Sequence, residues 1–128
     1  MSTRSRIAYN DGKNVYMSVY CHFDGYVEGV GQVLFHYYND FDKAKALVDG
    51  GDMSSVSPNV NDISRYDDGD TYPLICEDIK ELIDYFDKSD QEFLYVFEDG
   101  RWTYFNKEYG SVNYMGKLAD ALRTKGVI

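Results

Sequence analysis

Residues 92–106 read EFLYVFEDGRWTYFN, and this stretch decides the fold. Asp99-Gly100 stands between two runs rich in aromatic and β-branched residues, which is the strongest short-range signal for a β-hairpin. Because side chains alternate along a strand, a two-residue turn divides these runs between two faces. Both faces are apolar, so we predict a central hairpin covered on both sides; an exposed aromatic face for a partner is the alternative. One face carries Phe93, Tyr95, Phe97, Trp102 and Tyr104, and the other carries Leu94, Val96, Thr103 and Phe105.

A second Asp-Gly turn organises the N-terminal end, in IAYNDGKNVYMSVY at residues 7–20. A two-residue loop at Asp11-Gly12 would put Arg4 and Arg6 on the apolar face of the hairpin. A three-residue loop with glycine in the left-handed conformation moves the pairing by one residue and separates apolar from polar side chains. We therefore predict a core face with Ile7, Tyr9, Val15, Met17, Val19, Cys21 and Phe23, and a polar face with Arg4, Arg6, Tyr16, Ser18, Tyr20 and His22.

Helical spacing marks the remaining segments. Apolar residues recur at i, i+3, i+4 and i+7 in four stretches: Val30–Tyr37, Phe41–Val48, Ile75–Phe86 and Tyr114–Leu122. Asp40 is the predicted cap of the second helix, Gly50-Gly51 its end, and Gly126 ends the last helix. We predict a single α+β domain over residues 1–128, with an antiparallel sheet of two β-hairpins packed with three to four helices, in the order ββ-α-α-α-ββ-α. A long polar connection at about 50–73 is predicted to be functional or flexible.

Charge and composition exclude several classes of function. The chain has 22 acidic residues against 13 Lys plus Arg, a net charge of −9, so no direct nucleic-acid binding is expected. An acidic surface instead favours solubility or contact with basic proteins, including mimicry of nucleic acid. Thirteen Tyr suit a binding surface or the filling of a sheet. A polar N-terminus without a long apolar run predicts no leader and no membrane association. Cys21 and Cys76 fit no metal or disulfide pattern, which predicts free thiols in the cytoplasm.

The stretch YCHFDGYVEGVG at residues 20–31 is the candidate site. A strand leads there into a turn and a helix that starts near Val27, with Asp24 as its predicted cap. Free amides at a helix start attract anions, and glycines let a ligand approach closely. The predicted set for a phosphate-bearing ligand is Arg4, Ser18, Tyr20, His22, Tyr26, Gly29 and Gly31. In the structural alternative Asp24 caps the helix, the glycines allow close packing and His22 bonds locally.

Other chemistry has weaker signals. His22 and Asp24 are the one candidate acid–base pair, for a small hydrolase. Cys21 is adjacent to His22, but neighbouring strand residues point to opposite faces and cannot easily pair. No metal site or cofactor is predicted, because His22 and His36 lie on different elements and the acidic run at 67–70 lacks the spacing of a calcium loop.

Three segments carry a resemblance to a known family: MSTRSRI, YCHFDGYVEGVGQVLFHYYND and GGDMSSV. They resemble small phage and prophage proteins with a T-R-S start, an H-x-D-G-Y-x-x-G-V-G core and a later G-D-x-S-S element. The resemblance covers residues 2–56, with Phe23 where Trp is common and Val27 where Pro is common. It implies phage origin and the same local fold, and it transfers no catalytic role.

Three hypotheses of function follow. The leading one is a phage accessory protein that binds and inhibits a host protein, such as an anti-phage, CRISPR or nuclease component, without catalysis. The second is a binding protein, or sponge, for a phosphate-bearing small molecule or nucleotide. The third is the hydrolase with His22 and Asp24. A homodimer stays open in each case.

Overall fold

The computed structural model of the protein describes residues 2–66 and 72–128. Within these residues, six strands form one sheet, and helices pack on both of its faces. The strands are β1 (Ser5–Asn10), β2 (Tyr16–Cys21), β3 (Leu74–Cys76), β4 (Phe93–Glu98), β5 (Arg101–Glu108) and β6 (Ser111–Lys117). The α-helices are α1 (Gln32–Tyr37), α2 (Phe41–Asp49), α3 (Ile79–Lys88) and α4 (Leu118–Thr124). A π-helix (Val27–Gly31) leads into α1, and a 3-10 turn (Val60–Asp62) lies in the long connection.

The strand order is β3-β2-β1-β4-β5-β6. The α+β class and the single small domain are confirmed. The sheet is mixed rather than wholly antiparallel, because β1 and β4 run parallel. Strands β3 and β6 also add to the predicted element order. A short turn in a sequence indicates that the strands on either side of it are antiparallel neighbours. Strands β1 and β4 pair across a connection that contains three α-helices, so no local sequence signal predicts their pairing.

The β4–β5 hairpin has the predicted register. Glu98 pairs with Arg101 around the two-residue turn, and both turn residues are left-handed, with φ of 54° at Asp99 and 77° at Gly100. Its two faces contribute to two separate buried clusters, so the prediction of a central hairpin covered on both sides is confirmed.

The first hairpin keeps its predicted faces with a different loop. Asn10 pairs with Tyr16, so the loop spans five residues, 11–15, rather than three. The shift in register is even and leaves each strand side chain on its predicted face. Val15 falls in the loop and Phe23 beyond the strand is exposed, so neither joins the core face. Half of the predicted polar face is buried, namely Arg6, Tyr16 and Ser18, and the other half is partly exposed.

Each face of the sheet has its own core. On one face, β-strand residues such as Ile7, Val19 and Tyr95 pack with the π-helix, α1, α2 and α4. On the other face, Leu82 and Phe86 of α3 pack against the sheet. The sheet is therefore a middle layer, and every functional side chain on it belongs to one face or the other.

The helix predictions are confirmed in part. Asp40 caps α2 by accepting a hydrogen bond from the Lys43 amide at 2.8 Å, and Gly126 follows α4 in the left-handed conformation. Ile75 lies in β3, and Tyr114 and Met115 lie in β6, rather than in helices. These two edge strands carry apolar residues that continue the helical spacing of α3 and α4, so periodicity alone cannot separate strand from helix. Across the part of the chain that the structure describes, no helix is long and apolar enough to cross a bilayer.

Candidate functional site

The turn at the start of the π-helix is held by a backbone group. Asp24 adopts a left-handed conformation with φ of 59°, and its carbonyl oxygen accepts the Val30 N–H at 2.7 Å. The residue in the N-cap position is Tyr26, which makes no side-chain cap bond. The prediction of Asp24 as a side-chain cap is therefore wrong, because the left-handed turn directs its carbonyl, not its carboxylate, at the helix.

The glycines of this stretch are used for packing. The amides of Gly29 and Gly31 both donate to the Tyr26 carbonyl, at 3.0 and 3.4 Å. A Cβ at Gly29 would lie 2.2 Å from the Asp24 carbonyl oxygen, and a Cβ at Gly31 would lie 3.1 Å from Leu118 Cδ1. These positions therefore have the role that the structural alternative gave them.

The seven predicted ligand residues lie on two faces of the sheet. Gly31 faces Tyr95 and Leu118 in the core beneath the π-helix, and Gly29 packs on Asp24. Tyr26 is exposed at the helix start. Ser18 is buried on the opposite face. Arg4, Tyr20 and His22 come together on that opposite face, so alternation along β2 separates them from the glycines.

His22 is held through both ring nitrogens. Its Nδ1 lies 2.6 Å from the Tyr20 hydroxyl, and its Nε2 lies 3.1 Å from Ser2 Oγ. Asp24 is not a hydrogen-bond partner of this ring among the described residues. Cys21 is buried on the other face, where burial raises the pKa of its thiol to about 12. The neighbourhood holds an imidazole between two hydroxyls, without the His–carboxylate pair that the sequence suggested.

Arg4 completes this cluster. Its guanidinium lies 3.5 Å from the Asp90 carboxylate. Burial raises the pKa of the Tyr20 phenol, and the nearby Arg4 charge opposes that rise. Arg4 therefore already has an anionic partner on the protein itself.

Four of the nine exposed Phe and Tyr rings among the described residues lie around β2 and β3. Phe23 contacts His22 edge-on at 4.5 Å between ring centroids, and Tyr66 stacks on Tyr20 at 6.3 Å. Tyr20 also lines a recess whose rim includes three further exposed apolar side chains. We call the five exposed residues Phe23, Tyr66, Tyr72, Ile75 and Tyr85 the aromatic edge.

The recess behind the aromatic edge has a buried cationic floor and a volume of about 700 Å³. Arg6 reaches it from β1 and is 5% exposed, with its guanidinium 4.7 Å above the Tyr85 ring. Asp52, Asp90 and Gln91 also line it. We call it the Arg6 recess. Sequence analysis missed it, although it placed Arg6 on the correct strand face; Gln91 gave no signal.

Metal binding has no support in the described chain. Residues 2–66 and 72–128 contain no group of three His, Cys, Asp or Glu side chains that could hold an ion. The acidic run at 67–70 lies outside the described residues. His36 is exposed on α1, away from the His22 cluster.

Comparison with protein-family models, with curated proteins and with solved structures gave no match.

Proposed function

We propose that this protein is a phage accessory protein that binds and inhibits a host protein without catalysis, in the host cytoplasm. The observation that carries the proposal is the aromatic edge on a chain with a net charge of −9. The resemblance of residues 2–56 to phage and prophage proteins supports the biological setting. The two free, buried cysteines suit a reducing compartment.

Exposed aromatic side chains are the residue type that supports protein binding best. Tyr72 is 89% exposed and Ile75 is 59% exposed, although both would gain from removal from water. Aromatic anchors of this kind supply most of the binding energy at protein interfaces. Tyr is suited to the task because its ring buries apolar area while its hydroxyl stays hydrogen-bonded.

The negative charge supports a basic partner. Opposite charges on two proteins speed their encounter and disfavour wrong partners, and the effect weakens with added salt. A nucleic-acid-binding host protein carries a basic surface of this type, which agrees with an anti-phage, CRISPR or nuclease component as the target.

The local geometry favours binding to a host protein over the hydrolase and over the binding of a phosphate-bearing small molecule. The hydrolase hypothesis needs His22 and Asp24 to act as an acid–base pair, whereas the partners of the His22 ring in the described chain are the Tyr20 and Ser2 hydroxyls and not Asp24. A phosphate sponge needs free amides beside Arg4, whereas the Gly29 and Gly31 amides bond to Tyr26, and Arg4 pairs with Asp90.

Affinity capture from a bacterial host lysate tests the proposal. The immobilised wild type is compared with the double variant Tyr66→Ala/Tyr72→Ala and with Tyr109→Ala. Tyr109 is a matched control, because it is fully exposed in the β5–β6 turn at the opposite edge of the sheet.

We expect the wild type and Tyr109→Ala to enrich the same host protein and the double variant to lose it. Recovery should fall between about 50 and about 500 mM salt, and the captured protein should lose activity when the wild type is added. No enriched protein, or equal capture by the double variant, would contradict the proposal. Sedimentation of the purified protein tests the homodimer.

A further inference from the structure

Two mostly buried polar side chains that line the Arg6 recess have unused hydrogen-bonding capacity. Arg6 is 5% exposed and Gln91 is 7% exposed, and both line the same recess. Its volume, about 700 Å³, lies in the range of small-molecule sites, roughly 300–1,000 Å³. Buried polar groups are normally satisfied, so the Gln91 carbonyl oxygen, which is buried without a donor among the described residues, requires an explanation.

The Arg6 guanidinium has donors to spare. Its Nε donates to Ser18 Oγ at 2.8 Å and its Nη2 to the Ser18 carbonyl at 3.4 Å. A guanidinium has five N–H donors, so within residues 2–66 and 72–128 the other three have no hydrogen-bond acceptor. No carboxylate of those residues lies within ion-pairing distance of it. A ligand here must therefore offer acceptors.

Gln91 makes the opposite demand. Its Nε2 donates to Asp90 Oδ1 at 2.8 Å, whereas its Oε1 is buried with no donor among the described residues. Exchanging the amide nitrogen and oxygen does not help, because it would place two acceptors against each other at Asp90. This oxygen has no exposed surface, so a ligand that engages it must offer an N–H or O–H donor and the Gln91 side chain must turn toward the recess.

The other lining residues narrow the ligand further. Asp52, Asp90 and Arg6 are the charged side chains among the described lining residues, and Asp90 also pairs with Arg4, so the recess has no excess positive charge to favour a phosphate group. Tyr72, Ile75 and Tyr85 provide flat apolar walls. The ligand is therefore uncharged, planar, and has acceptors and donors on adjacent edges.

We propose that the Arg6 recess binds a guanine-type purine, as the free base or nucleoside. Its O6 and N7 acceptors match the fork of a guanidinium, which is the commonest specific contact to this base. Its N1–H and N2–H donors would supply the bond that Gln91 Oε1 lacks. Adenine presents an amino group where O6 would stand, so it would oppose the Arg6 donors.

Titration of the purified protein with guanosine, adenosine and inorganic phosphate tests this site, by calorimetry and by amide chemical shifts. No partner protein is present, so the result is independent of the aromatic edge as a protein interface. The variants are Arg6→Lys, which keeps the charge and removes the planar fork, and Gln91→Met, which removes the acceptor at similar length. Tyr109→Ala is the control. Circular dichroism confirms that each variant is folded.

We expect guanosine to bind about tenfold or more tightly than adenosine, and phosphate not to bind. Each recess variant should weaken guanosine binding by about tenfold, and the control should not change it. The proposal is overturned if guanosine does not bind at about 1 mM, if adenosine binds equally, if phosphate displaces guanosine, or if both folded recess variants bind guanosine as the wild type does.

Discussion

Replacing Gly29 by Ala tests whether this glycine is needed for packing in the turn and π-helix of residues 20–31. Gly29 lies inside the π-helix with a negative φ, where alanine would ordinarily stabilise by about 0.5–1 kcal/mol. Here the new Cβ would lie 2.2 Å from the Asp24 carbonyl oxygen. That oxygen belongs to the backbone and cannot rotate away as a side chain could.

The cost follows from what must move. Relieving the overlap displaces the Asp24 peptide, and overpacking of this kind costs about 1–3 kcal/mol. The displaced carbonyl also weakens its bond to the Val30 N–H, which adds about 1 kcal/mol. After subtracting the propensity gain, we expect a loss of about 1–3.5 kcal/mol in the free energy of unfolding.

Urea unfolding followed by tryptophan fluorescence measures this loss. Trp102 is the single tryptophan and is buried, so it reports on the core. We expect the midpoint to fall and the slope to stay unchanged. Gln32→Ala is the control, because it also introduces alanine about one helical turn after Gly29 but adds no atoms. An unchanged or higher midpoint for Gly29→Ala would refute the packing role of this glycine. The segment with Gly29 and Gly31 would then again be a candidate ligand-binding site.

Three further predictions concern stability. Ser18→Ala should lower the free energy of unfolding by about 1–3 kcal/mol, because it leaves Arg6 Nε unpaired. The double variant Ser18→Ala/Arg6→Met should recover stability in urea unfolding, and a further loss in the double variant would contradict this. Burial raises the Cys21 pKa from 9.0 to about 12, so the folded thiol keeps a proton that the unfolded chain loses. Stability should fall above about pH 9 by up to about 1.4 kcal/mol per pH unit, and Cys21→Ala should flatten this fall; an equal slope in the variant would argue against it. Asp40→Ala should cost about 0.5–2 kcal/mol in thermal unfolding and Asp42→Ala much less, because only Asp40 caps α2; equal losses would count against the cap.

Local patterns predicted much of the fold. The Asp99-Gly100 turn fixed the register of β4 and β5 and the burial of both their faces. The segregation of apolar from polar residues assigned β1 and β2 side chains to the correct faces, although the loop at 11–15 is longer than predicted. These predictions are correct because turn conformation and side-chain alternation depend on a few adjacent residues.

The candidate site was predicted less well. Arg4, Tyr20 and His22 were placed together correctly by strand alternation. Gly29 and Gly31 were predicted to lie beside these three residues because they follow closely in the sequence. The π-helix that contains them instead packs on the other face of the sheet. Gln91 and Tyr85 reach Arg6 only through pairing and packing that span most of the chain.

The sequence by itself determined the two hairpins, the α2 helix with its cap, and the acidic, Tyr-rich character of the surface. Only the tertiary structure decided that β1 lies parallel to β4, with Ser5 opposite Phe93. That pairing brings the start of β4 beside the polar face of β1 and so forms the Arg6 recess. The reason is physical: turn and strand preferences act over a few residues, whereas the pairing of distant strands is set by the combined burial of both sheet faces.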